Sequence, residues 1–266
     1  MKKITIIGGD DRLKILKKEL IGKGYAVDTI GLFEDDYGDI TSSDIIVFPV
    51  PTTKDGECVF CPLTDRKLKL SELAEKIGND QLILSCNYTF SNKKCVDYGA
   101  LDSYALLNAV PTAEGAIKIA IENTSYTIWK SKILVIGYGR VGKILANRLK
   151  ALGANVTVSA RKPADFGLLD ALGFDYINTS SLNSNPPKYD IIFNTVDVKV
   201  IEDEALEKTV CDLIIDLSTF GAMSLEKAEE CGIKVIKAPG LPAKIAPKTA
   251  AEILSQTVTH IINSYN

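Results

Sequence analysis

Three glycines, Gly137, Gly139 and Gly142, fall at the spacing G-x-G-x-x-G within Gly137-Tyr138-Gly139-Arg140-Val141-Gly142. In this pattern the first glycine permits a tight turn and the second lets backbone approach a pyrophosphate. The third lets a helix pack on the preceding strand. Amides at the helix start, helped by the helix dipole, then favour bound phosphate. Every residue from Gly137 to Gly142 is therefore a candidate for cofactor binding. A turn with a purely structural role is the alternative, and the flanking elements decide between them. Ile133 to Ile136 is an unbroken apolar run, as in a strand buried on both faces. Beyond the glycines, Val141, Ile144, Leu145 and Leu149 recur at helical spacing. Strand, glycine turn and helix in that order favour dinucleotide binding.

The next strand bears on which dinucleotide. Ala154 to Ser159 alternates as a strand does, and NAD-specific folds usually carry an acidic residue at its tip for the ribose 2′-hydroxyl. Here the tip reads Ser159-Ala160-Arg161-Lys162, with no carboxylate to repel a 2′-phosphate. Ser159 offers a hydrogen-bond donor, and Arg161 and Lys162 offer charge. A solvated basic turn is the alternative. The pattern favours NADP over NAD.

Ligands of parallel α/β sheets bind outside the carboxyl ends of the strands, so residues at those ends are the next candidates. Asp190 to Phe193 reads as a strand ending in Asn194-Thr195-Val196, where the nicotinamide ribose would lie. Asp212 to Leu217 reads as another, ending at Ser218-Thr219. Lys244 and Lys248, beside the start of a C-terminal helix, suit a carboxylate by charge and backbone N–H groups, against the alternative of surface lysines. Arg12 follows the first strand turn and is a candidate on the substrate side; a surface helix position is the alternative. Asn108, Thr112 and Glu114 open the crossing helix, whose start faces the expected cleft, so they are candidates to reach a ligand, Asn108 and Thr112 on the substrate side, although capping explains Thr112 and Glu114 equally well. The single histidine, His260, falls inside the C-terminal helix, where a surface or packed role outweighs catalysis. Hydroxy-acid dehydrogenation usually needs a histidine-type base, whereas hydride loss that creates an aromatic ring needs less help.

The elements that position these residues alternate between strand and helix. The first unit has strands at Lys3 to Gly9, Tyr25 to Ile30, Asp44 to Phe48 and Gln81 to Cys86, with helices at Asp10 to Leu20 and Ser71 to Ile77. Thr52 to Lys67 reads as a loop or hairpin, and Ser103 to Leu107 as a further alternating segment. Its Gly8-Gly9-Asp10-Asp11-Arg12 turn lacks the full glycine pattern, and its two acids would repel a pyrophosphate. A helix entered near Pro111 leads to the second unit, where Pro163 to Leu172, Phe174 to Ile177, Ser224 to Cys231 and Ile233 to Ile236 complete the pattern. The expected fold is α/β, with two Rossmann-like doubly wound parallel-sheet domains linked by long helices. The expected division is a substrate-side domain over 1–110, a linking helix over 111–128, an NADP-binding domain over 129–245, and a helix over 246–266 packing back on the first domain.

Composition bounds the class. A net charge of −3 argues against general nucleic-acid binding. No apolar run approaches the ~18 residues of a membrane span, and Met1-Lys2-Lys3-Ile4 enters a strand directly with no signal-peptide pattern, so a cytoplasmic location is expected. Of six cysteines only Cys58 and Cys61 form a C-x-x-C, with no second pair or histidine to complete a zinc site. No metal is expected.

Several of these motifs occur together in one family. Gly8-Gly9-Asp10 with Arg12, Pro49-Val50-Pro51, Asn108 with Pro111-Thr112-Ala113-Glu114-Gly115, the GYGRVG turn and Gly240-Leu241-Pro242-Ala243-Lys244-Ile245-Ala246-Pro247-Lys248-Thr249-Ala250 resemble the A subunits of dipicolinate synthases, in order and over nearly the whole chain. One departure is Ser218-Thr219-Phe220-Gly221-Ala222, where that family commonly has a turn richer in glycine and proline. The resemblance implies NADP-dependent oxidation of a dihydro- or 4-hydroxytetrahydrodipicolinate, a small dicarboxylate, to dipicolinate. It also implies partnership with a flavoprotein-like B subunit, and a role in spore formation in the mother-cell cytosol. A homo-oligomer is expected. Two other readings compete: a two-domain D-2-hydroxy-acid or amino-acid dehydrogenase, and a non-catalytic NADP(H) sensor.

Overall fold

Apolar runs such as Ile45–Val47, Ile133–Ile136 and Leu213–Ile215, and the Ile4–Ile7 stretch with its single Thr5, are wholly or almost wholly buried, because each forms a parallel strand covered on both faces. The computed structural model describes residues 2–219 and 221–265, so the Met1 start and Phe220 of the Ser218–Ala222 turn lie outside the described residues. The chain divides into two units, Met1–Asn108 with Pro242–Asn266, and Ala109–Leu241.

The first unit holds β1 (Lys3–Ile7), α1 (Asp11–Gly22), β2 (Ala26–Ile30), β3 (Ile45–Val47), α2 (Leu70–Lys76), β4 (Leu82–Ser85) and β5 (Cys95–Asp97). The division between units falls within α3 (Asp102–Asn123). The second unit holds β6 (Lys132–Ile136), α4 (Arg140–Ala151), β7 (Asn155–Ala160), α5 (Pro163–Ala171), β8 (Asp175–Asn178), β9 (Ile191–Asn194), α6 (Asp203–Leu206), β10 (Leu213–Asp216), α7 (Leu225–Glu230) and β11 (Lys234–Lys237). The short α8 (Leu241–Ile245) and long α9 (Pro247–Ser264) complete the chain. The sheets run β2-β1-β3-β4-β5 and β11-β10-β9-β6-β7-β8, all strands parallel. In each, the strand order reverses beside the unit's first strand, between β1 and β3 and between β6 and β9. Parallel sheets bind ligands at these switch points. The fold is α/β, with two Rossmann-like, doubly wound parallel sheets.

Helix α9 is part of the first unit's core. Its stripe Ile253, Leu254, Val258, Ile261 and Ile262 packs with Leu13, Leu16 and Leu20 of α1 over Ile4 and Ile6 of β1. Burial of each such side chain is worth roughly 1.5–3 kcal/mol, enough to anchor the helix there. Its direction follows from its end. Tyr265, just beyond it, lines a hollow with Lys2, Asp44, Gln81 and Lys94, the residues that precede β1, β3, β4 and β5. Eighteen residues of helix span about 27 Å, so α9 begins at the opposite, carboxyl edge of the sheet, where α1 also begins.

Some sequence expectations need correction. Ser103 to Leu107 is helical: α3 begins at Asp102, with Pro111 inside it and not near its start. Only Tyr104 of that segment is fully buried, so its apparent alternation reflects one inward residue on a helix and not a strand. Thr112 and Glu114 are consequently mid-helix and cap nothing; Glu114 pairs instead with Arg148 at 3.1 Å. The short, half-buried β5 carries no apolar run and has no counterpart in the sequence pattern. The Ala238–Lys244 loop is partly helical, as α8. Among the described residues no helix is long and apolar enough to cross a membrane.

Candidate dinucleotide and carboxylate sites

The glycine turn between β6 and α4 is shaped by three distinct constraints. Gly137 adopts φ +98°, and a Cβ there would lie 2.6 Å from both Thr195 Oγ1 and Val196 Cγ1. A Cβ on Gly142 would meet the carbonyl oxygen of Gly137 at 2.1 Å, so the first turn of α4 sits directly on the loop. Gly139 is different: nothing lies within 4 Å of where its Cβ would be. Gly139 is also the N-cap of α4 and supplies no side chain to the first-turn amides. Exposed backbone at an uncapped helix start, with open space above it, is a cradle that fits a pyrophosphate. Arg140 is exposed beside it, Val141 is half-buried, and Tyr138 is buried with Lys143 Nζ 5.2 Å from its ring centroid. Burial, then the charge of Asp165, pushes the Tyr138 phenol up from its ordinary value.

The turn opens into a cleft of about 230 Å³ whose lining includes Gly137, Gly139, Arg161, Lys162, Thr179 and Val196. Register brings its walls together, since Ile136 pairs with Ser159 on one side and Asn194 on the other. Arg161 and Lys162 are exposed at the β7 tip. Lys162 is also the N-cap of α5 and makes no side-chain cap bond. Ser159, by contrast, is fully buried, and its hydroxyl accepts from Thr179 Oγ1 at 3.2 Å. Thr179, Asp165, Val198 and Val200 also line the cleft, beyond the residues that local spacing singles out. For Thr179 the signal is one of register: Ala160 pairs with Asn178, which places Thr179 beside Arg161.

Asn194, Thr195 and Ser218 hold the walls of this cleft. Asn194 is fully buried; its Nδ2 donates to Asp216 Oδ1 (2.7 Å), Ser218 Oγ (3.1 Å) and the Val196 carbonyl (3.0 Å), while its Oδ1 accepts from Val196 N (3.0 Å). Ser218 Oγ donates to Asp216 Oδ1 at 2.6 Å and accepts from Gly221 N at 2.8 Å. Thr195 Oγ1 donates to the Ile136 carbonyl at 2.8 Å. These side chains lock the strand-end loops of β9 and β10, leaving Val196 to face the cleft.

In the first unit the equivalent turn is closed. Gly9 N donates to the Phe60 carbonyl at 2.8 Å, and a Cβ on Gly8 would meet Cys61 Sγ at 2.7 Å and Val59 Cγ1 at 2.8 Å. The Thr52–Lys67 segment thus fills the space a phosphate would need. Arg12 is 6% exposed and ion-paired with Asp10 at 2.8 Å, so it is not a surface helix residue. Burial works against its charge, but the bond and charge of Asp10 more than compensate and hold the guanidinium above its ordinary value. Lys244 and Lys248 are exposed, Lys248 with only a 4.0 Å contact to Glu252. Both flank the start of α9, whose N-cap Ala246 makes no side-chain bond, so Arg12, Lys244 and Lys248 share the carboxyl edge of one sheet. Asn108 and Thr112 sit one turn apart within α3, both half-buried. His260 is exposed in the last turns of α9, toward the other edge. Among the described residues no cluster of His, Cys, Asp and Glu could hold a metal ion.

Residues 3–107 match the family model for the N-terminal domain of the dipicolinate synthase A subunit. Over 98% of its length the chain is 30% identical to the dipicolinate synthase A subunit of Bacillus subtilis (strain 168), covering 95% of that protein. It superposes on the crystal structure of the dipicolinate synthase A subunit from Bacillus halodurans with a TM-score of 0.88 at 29% identity, covering 98% of this chain and 97% of that one. The apo-structure of D-lactate dehydrogenase from Escherichia coli gives a TM-score of 0.63 at 14% identity, over 99% of this chain and 96% of that one, a likeness of fold alone.

Proposed function

The chain belongs to the family of dipicolinate synthase A subunits, and from that premise we propose that it oxidises dihydrodipicolinate, or its 4-hydroxytetrahydro precursor, to dipicolinate with NADP as hydride acceptor. It works with a flavoprotein-like B subunit, in spore formation. The observation that carries this reading is the open space over Gly139 at the uncapped start of α4, with Arg161 and Lys162 lining the same cleft.

Gly137 to Gly142 hold the pyrophosphate, and Arg161 and Lys162 take the 2′-phosphate by charge-assisted bonds. Val196, Val198 and Val200 supply the apolar wall. Arg12, Lys244 and Lys248, on one edge of the first sheet, recognise the two carboxylates of the substrate. NADP, when bound, would accept the hydride, and the substrate's proton would leave to solvent as its ring becomes aromatic; the 4-hydroxytetrahydro precursor would in addition lose its hydroxyl as water. That gain in aromaticity removes the need for a strong base, in keeping with a chain whose single histidine stands away from the strand ends. The same placement of His260 disfavours the hydroxy-acid dehydrogenase reading.

The test is an absorbance assay of the purified chain, with and without a B-type subunit, given freshly made dihydrodipicolinate precursor and NADP. Joint appearance of the pyridine dicarboxylate spectrum and NADPH is the expected result. Absence of nucleotide-dependent product with both subunits present overturns the reading.

A further inference from the structure

Arg12 is buried, yet its bonds are unevenly shared. Nε donates to Asp10 Oδ1 (2.9 Å) and Oδ2 (3.2 Å), and Nη2 donates to Asp10 Oδ2 (2.8 Å) and to the Val50 carbonyl (2.6 Å). Those bonds use the hydrogens of Nε and Nη2 and leave both hydrogens of Nη1. Nη1 is not among the enclosed, unbonded side-chain atoms, so it is the part of the guanidinium that reaches solvent. Asp10 is itself fixed a second time, since its Oδ1 caps α1 by accepting from Arg12 N at 3.1 Å.

We propose that Asp10 is a positioning residue that, with the Val50 carbonyl, holds Arg12 so that Nη1 presents its two donors to a carboxylate of the bound diacid. This rests on the diacid reading above and deepens it. A guanidinium kept only as a surface ion pair would gain little from its partner, about 0–1 kcal/mol, and would not be desolvated. Here desolvation is accepted, Nε and Nη2 are fully bonded, and the bonded partners Asp10 and Val50 follow β1 and β3, the two strands that flank the sheet's switch point. Tyr98, Tyr104 and Cys86 lie close to the Arg12 guanidinium. All three are buried in the same core cluster, with the Tyr98 hydroxyl donating to the Phe48 carbonyl at 2.9 Å. Asp10 cancels the charge of Arg12, so Nη1 contributes direction, while exposed Lys244 and Lys248 on the same edge contribute net positive charge. A planar fork held in one orientation recognises a carboxylate better than a mobile cation does.

The probe is pyridine-2,6-dicarboxylate, titrated calorimetrically into the full chain and into Asp10→Asn, Arg12→Lys and the double variant. Asparagine keeps an N-cap acceptor but loses the ion pair. The expected result is at least tenfold weaker diacid binding in each single variant, with the double variant no weaker than the worse single one, because the two side chains act as a unit. Nucleotide affinity, a property of the second unit, stays within about twofold and reports that the chain is folded. In turnover, KM for the dihydro substrate rises and kcat holds. If Asp10→Asn impairs folding, Asp10→Ser, another good N-cap, carries the same expected loss. Wild-type diacid affinity in Asp10→Asn overturns the positioning role and leaves the diacid reading standing. No diacid binding by the wild-type chain overturns the diacid reading, and this proposal with it.

Discussion

The carbonyl oxygen of Gly137 stands 2.1 Å from the point where a side chain on Gly142 would begin. The two nearest atoms, the oxygen and carbon of the Gly137 carbonyl, are backbone and cannot swing aside. Gly142→Ala is therefore expected to destabilise the second unit by about 3 kcal/mol or more and to lose nucleotide binding with it. Gly139→Ala faces open space, so its melting temperature is expected to stay near wild type while nucleotide affinity falls at least tenfold. Thermal melts and NADPH titrations of the two variants check the contrast.

Arg161 and Lys162 share the cleft with one opponent of a second phosphate, the half-buried Asp165. Replacing both cations by serine is expected to weaken NADPH roughly tenfold to a hundredfold and to leave NADH unchanged. Asp165→Asn is expected to act the other way, tightening NADPH severalfold. Fluorescence titration with both nucleotides measures each shift.

Exposed Lys244 and Lys248 flank the start of α9. Changing both to methionine is expected to abolish turnover yet spare NADPH binding. Full activity in that variant would remove the pair from the site.

Burial raises three thiols: Cys61 is pushed up to about 11, and Cys86 and Cys211 to about 12, from an ordinary 9.0. Between pH 9 and 11 to 12 the folded chain holds protons that the unfolded chain has lost. Their contribution to stability is thus complete below about pH 9 and disappears as pH rises through the folded values. Chemical denaturation midpoints are expected to fall across that window. At pH 8 the Cys61 thiolate fraction is roughly a hundredfold below that of an ordinary cysteine, so alkylation followed by mass spectrometry is expected to label it far more slowly in the native than in the unfolded chain.

Much of the fold is legible because parallel strands covered on both faces read as bare apolar runs. β6, β7, β9 and β10 all fall within a residue or two of their sequence limits. The start of α3 is hidden, because a helix with Tyr104 inward and Leu106 and Leu107 exposed gives no amphipathic stripe. β5 is hidden because Cys95-Val96-Asp97 has too little apolar content to announce a strand. In the site, the glycine cradle and the basic β7 tip follow from local spacing. Thr179, Asp165, Val198 and Val200 do not, since they reach the cleft through strand register and loop closure.

What the sequence determined alone was the strand–turn–helix cradle and the pair of α/β units, because a turn that only glycine can adopt and a run that only burial can satisfy are local facts. Tertiary structure decided which polar residues are spent on holding the molecule together. Asn194 and Ser218 turned inward to tie two strand ends, and Val59 to Cys61 filled the first unit's turn. The Val50 carbonyl took the hydrogen of Arg12 Nη2 that Asp10 left over. Each of those outcomes depends on atoms far apart in the chain meeting at hydrogen-bond or van der Waals distance, which spacing along the sequence does not encode.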